Sequence, residues 1–142
     1  AGLNRLDLNP PYGAALSPDE FLPAVGQGAL AIECREGDAQ TLAALSSLDH
    51  AATRVRISAE RSFLKTVEGS CQVPVGAFAR IDGEDTLQLD ALIASLDGRE
   101  ILRASRTGRF EDSVALGVEL GQELLARGGD RLLKACLAEA EG

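Results

Sequence analysis

The chain has 142 residues, enough for one domain with a real core or for one domain plus pieces of a neighbour. Its 45% hydrophobic and 25% charged fractions are those of an ordinary globular protein, and no apolar run approaches the roughly 20 residues that a transmembrane helix needs. The net charge of -8 repels polyanions unless cations gather in one cleft, which argues against nucleic acid as a partner, and no dense basic cluster is available for a strongly anionic small ligand.

The first residues lack the basic stretch and apolar run of a secretory signal. Cys34, Cys71 and Cys136 are odd in number and too far apart for a CxxC-type zinc site. Free thiols in a reducing, cytoplasmic setting are the simpler expectation, with no metal.

Residues 1–28 are rich in Pro and Gly and read as the tail of one unit followed by a linker. "ALAIECR", Ala29 to Arg35, is a short apolar run between Gly28 and Gly37 that predicts a buried strand, which must pair with a sheet made elsewhere. Asp38 reads as the N-cap of a short helix, and Asp49 as the cap of a longer one. In the longer helix Ala52, Val55, Ala59, Phe63 and Val67 share one face, Arg54, Ser58, Arg61, Lys65 and Glu68 the other, and Gly69 is the expected stop.

After Pro74 the period changes to 2, with Val75, Ala77, Ala79 and Ile81 facing one way. The "DGED" turn from Asp82 leads to a strand carrying Leu87, Leu89, Ala91 and Ile93, and "DGRE" from Asp97 leads to "ILRASRT". Three strands with short turns predict an antiparallel meander. Two helices, Glu111 to Ala126 and Asp130 to Ala140, follow around a Gly128-Gly129 break. The expected fold is α+β, a three-stranded antiparallel sheet covered on one face by helices.

Among residues with chemistry to offer, Cys71 lies in the polar loop "GSCQ". Buried packing accounts for many free cysteines, and a loop position also lets the sulfur face a cleft. A helix C-terminus before it and Glu68 nearby disfavour a thiolate, so a turnover nucleophile is poorly supported, whereas a thiol alkylated once needs no such tuning. Cys34 and Cys136 fall in apolar patterns and read as core fillers. His50 reads as a capping or solvated residue, since no nucleophile is near it in sequence. The glycines of "VGQGA", Val25 to Ala29, allow a sharp turn or a close backbone approach to a ligand, and Arg5 by itself is a surface charge.

Taken together, "LPAVGQGALAIECR", "AERSFLKTVEGSCQVPVGAFA" and "ELGQELLARGGDRLL" resemble the carboxy-terminal part of the hydroxymethylbilane synthase (porphobilinogen deaminase) family over essentially the whole chain. The resemblance implies the end of a second domain and a linker over residues 1–22. It implies a return segment of the first domain, a strand and a short helix, over 23–48, and a third domain over 49–142.

That family condenses four porphobilinogen molecules into hydroxymethylbilane with release of ammonia, in tetrapyrrole (haem) biosynthesis. It holds the growing chain on a dipyrromethane cofactor, which the resemblance attaches through a thioether to Cys71. An electrophilic azafulvene carbon trapped by a soft sulfur suits the local chemistry. Gln27 and Gly28 match the family loop beside the cofactor cleft, and Arg5 matches an arginine that binds pyrrole carboxylates, for which a guanidinium fork is suited.

The family's catalytic aspartate and most of its carboxylate-binding arginines have no counterpart here, so the fragment is expected to be inactive alone and to contain no catalytic residue. Its partners are porphobilinogen and its oligomers through the full-length protein, a monomer, together with the missing amino-terminal domains. No nucleic acid or membrane is expected. The competing reading is a small α+β ligand-binding or interaction domain without a covalent cofactor.

Overall fold

A computed structural model of the chain describes residues 2–9, 11–67 and 74–140. Cys71, its neighbours Gly69, Ser70 and Gln72, and the helix stop expected at Gly69 lie outside the described residues. The elements run α1 (Gly2–Arg5), α2 (Ala39–Leu45), α3 (Ala51–Thr66), β1 (Val75–Ile81), β2 (Thr86–Ala94), β3 (Ile101–Arg109), α4 (Ser113–Leu124) and α5 (Asp130–Ala140).

Asp38 caps α2 as its sequence predicts: Oδ1 accepts from the Thr41 N–H at 3.1 Å, and that bond holds the Asp38 carboxyl below its ordinary value. The cap of α3 is one residue later than expected. His50 Nδ1 accepts from the Thr53 N–H at 3.3 Å, while Asp49 closes the 3-10 turn Ser46–Leu48 and pairs with Arg54. Asp49 is taken up by the preceding turn, so the next side chain with an acceptor caps the helix. Ala59, Phe63 and Val67 are buried on the apolar face of α3, and Arg54, Arg61 and Lys65 are exposed on the other.

The sheet has the order β1-β2-β3, both pairs antiparallel, with Ala79 opposite Leu89 and Leu89 opposite Arg106. Alternation is the reason: Ala77 and Ala79 on β1 and Leu87, Leu89, Ala91 and Ile93 on β2 are buried under the helices. The β2–β3 turn is tied by Ser95 and Asp97, which accept from the Glu100 and Arg99 N–H groups. Arg106 on β3 forks to Glu119 (2.7 Å) and Glu123 (3.1 Å) on α4.

α3 and α4 lie together on one face of this sheet, with Leu116, Leu120 and Leu124 directed into the core. Gly117 and Gly121 allow the two helices to approach, since a Cβ at Gly121 would sit 2.8 Å from Thr66 Cγ2. The chain kinks at Gly128, which takes a φ of 108° that favours glycine, and α5 then buries Leu132, Leu133 and Cys136. The core-filling role expected for Cys136 is observed.

Residues 29–35 do not form the predicted strand, and this is the main departure from expectation. They pair with none of the three strands, Leu30 is 97% exposed, and Ile32 and Cys34 are exposed as well. Cys34 is therefore not a core filler. The apolar pattern is that of a strand, but a strand needs a neighbour's backbone to satisfy its own, and β1 to β3 pair only with one another.

The opposite face of the sheet carries residues 17–22. Arg103 Nη1 donates to the Asp19 carbonyl (2.7 Å) and Arg80 Nη1 to the Asp19 carboxylate (2.6 Å), which lowers the Asp19 carboxyl from its ordinary value. Leu22 is buried against Gly76, where any side chain would meet the Pro23 carbonyl at 3.1 Å.

Candidate functional site

The GQGA segment forms a tight turn in which the Gln27 N–H donates to the Ala24 carbonyl and the Ala29 N–H to the Gly26 carbonyl, both at 3.1 Å. Gly26 and Gly28 take φ values of 73° and 83°, and a Cβ at either would meet nothing within 4 Å. Glycine is thus required by the backbone conformation and not by close packing within the chain. Gln27 and Gly28 are exposed on the outer side of this turn.

The turn is fastened from below by Glu60. Its Oε2 accepts from the Gly26 N–H at 2.8 Å and its Oε1 from the Ala79 N–H at 2.9 Å, so one carboxylate joins the turn, α3 and the outer edge of β1. Beside it the Ala77 N–H donates to the Pro23 carbonyl at 3.3 Å. Glu60 is 5% exposed. Burial raises its pKa, against the opposing pull of the Ala79 and Gly26 N–H groups and of the Arg56 charge one helical turn earlier.

Nothing in the sequence alone marks Glu60 as the residue that holds this turn. The spacing of Arg56, Glu60, Phe63 and Val67 places it beside the buried stripe of α3, which is the signal available. Its partners are backbone N–H groups 34 and 19 residues away, which leave no mark in the side-chain pattern.

Of the residues singled out by sequence, the structure places Gln27 and Gly28 on this turn. Arg5 is at the exposed end of α1, and among the described residues no hydrogen bond or ion pair joins it to the turn. Cys71 falls in the sequence between α3 and β1 and lies outside the described residues.

Beside the turn, residues 29–34, α2 and α3 enclose an open groove of about 840 Å³. Leu30, Ile32, Leu42, Ile57 and Leu64 give it an apolar floor, and His50, Arg54 and Arg61 stand on its α3 side. Among the described residues no three His, Cys, Asp or Glu side chains gather closely enough to hold a metal ion. No helix among them is long and apolar enough to cross a membrane.

Residues 54–126 match the family model described as porphobilinogen deaminase, C-terminal domain. Residues 1–43 match the model described as porphobilinogen deaminase, dipyromethane cofactor binding domain. A porphobilinogen deaminase of Brevibacillus brevis (strain 47) is 43% identical over 141 residues, covering 99% of this chain and 45% of that protein. The chain thus spans slightly less than half the length of the curated relative it matches.

Proposed function

The chain belongs to the porphobilinogen deaminase family, and on that premise we propose that its parent protein is a cytoplasmic transferase that condenses four porphobilinogen molecules into hydroxymethylbilane, releasing ammonia. Within it this chain supplies the anchor for a dipyrromethane cofactor, through a thioether at Cys71. Residues 1–22 belong to the end of the second domain, 23–48 to the first and 49–142 to the third.

The observation that carries the reading is the convergence of the family motifs. The AER segment supplies Glu60, which holds the GQGA turn, and in the sequence the cysteine motif of Cys71 follows the same helix, α3. The other thiols suit the cofactor less well. Cys136 is 2% exposed in the core, with no room for two pyrrole rings, and Cys34 sits in the apolar groove outside the matching cysteine motif.

When bound, the dipyrromethane supplies the end on which the pyrrole chain is held as it lengthens. Cys71 fixes that group by one carbon–sulfur bond that persists through turnover. Gln27 and Gly28 border the cleft, and Arg5 binds acetate and propionate groups by paired N–H donors. The acid and base chemistry belongs to the part of the parent that this chain does not include.

Intact-mass spectrometry of the full-length parent tests the anchor. The parent carries the added mass of two pyrrole units, and Cys71→Ser lacks it. Retention of that mass by Cys71→Ser refutes the assignment, and an unmodified active parent favours the non-covalent ligand-binding reading.

A further inference from the structure

We propose that Glu60 is a positioning residue that makes the GQGA turn part of the carboxy-terminal unit, so that Gln27 and Gly28 are carried by the sheet that follows Cys71 in the sequence. The inference rests on the proposed function for its kinetic consequence and on geometry alone for its mechanical one.

The two carboxylate oxygens of Glu60 accept from two N–H donors, one on each side of a seam: Gly26 on the turn at 2.8 Å and Ala79 on β1 at 2.9 Å. Neither donor is met by a strand: the Ala79 N–H points outward from the free edge of β1, and the Gly26 N–H belongs to the turn beside it. The carboxylate replaces the missing strand at this point, and the Pro23 carbonyl does so one pair earlier, at the Ala77 N–H.

Residues 17–22 are held to the same sheet from the other face by Arg80 and Arg103. Residues 17–26 are consequently fastened at three places, whereas residues 29–35 make no ladder contact. The fastened stretch thus ends at the turn, which is held to β1. A full complement of acceptors is needed for this: an amide at position 60 would present NH₂ to one of two backbone N–H groups, and two donors cannot bond.

Hydrogen exchange and kinetics on the full-length parent and its Glu60→Gln variant test the inference. Exchange in residues 24–29 should rise about tenfold in Glu60→Gln while β2 and β3 stay unchanged. The Cys71 adduct should be retained, with kcat lowered roughly tenfold and KM nearly unchanged. An unchanged turn in Glu60→Gln overturns the latch, and a loosened turn with normal kcat overturns its positioning role.

Should Glu60→Gln fail to fold, Asp19→Asn loosens the strap from its exposed end. Exchange should then rise in residues 17–22 and stay slow in 24–29, and an equal rise in both overturns the separate latch. If the parent carries no pyrrole mass, the proposed function fails, while the exchange results still decide the latch.

Discussion

Gly117 on α4 faces the backbone of Ala59 on α3 so closely that a Cβ there would lie well inside van der Waals contact distance of the Ala59 carbonyl oxygen and 2.8 Å from the Phe63 nitrogen. Backbone atoms cannot rotate away as a side chain can. Gly117→Ala should therefore force the helices apart and cost about 3 kcal/mol, at the upper end of overpacking penalties. Gly121→Ala, which meets mainly the Thr66 side chain, should cost less. Urea unfolding of both variants checks the order.

Phe63 is completely buried between α3 and the sheet. Phe63→Ala removes the largest fully buried side chain among the described residues and leaves a cavity that two packed helices and a sheet cannot close. A loss of about 3–5 kcal/mol is expected, read from the shift of the unfolding midpoint at constant slope.

The pKa of Glu60 is raised in the folded state, with burial as the first cause. The folded state therefore holds the proton more tightly than the unfolded chain does. The linked stability is fully present below the unfolded value of 4.5 and is lost as pH rises through the raised folded value. The stability of the native sequence relative to Glu60→Gln should accordingly grow as pH falls from neutral toward that window. Unfolding curves collected across that range measure it, and a difference independent of pH contradicts it.

Arg5→Ala in the full-length parent should raise KM for porphobilinogen about tenfold or more, the effect of losing a charged hydrogen-bonded contact to a carboxylate. The cofactor mass on Cys71 should remain. Initial rates and an intact mass separate this from a folding defect.

Much of the core follows from spacing. Leu87, Leu89, Ala91 and Ile93 alternate because one face of β2 is buried, and Ala59, Phe63 and Val67 recur because one stripe of α3 is. The cap of α3 falls one residue beyond Asp49 because Asp49 and His50 both carry acceptors, and the turn before the helix decides between them. Residues 29–35 show the limit of pattern: hydrophobicity predicts which backbone would make a strand, and only a neighbouring strand can make it one. Glu60 shows another, since a carboxylate on a helix reads as solvated until the distant N–H groups that it serves are known. The position of Cys71 follows from the family motif alone.

The outer edge of β1 has one further consequence. Exposed N–H groups on a free strand edge are a template for another molecule's strand, the first step toward aggregation. Here Pro23 and Glu60 occupy the Ala77 and Ala79 donors, so intermolecular sheet growth from this side is blocked by the chain's own linker and a single carboxylate. Release of that linker would leave the Ala77 and Ala79 donors open to a neighbouring molecule's strand.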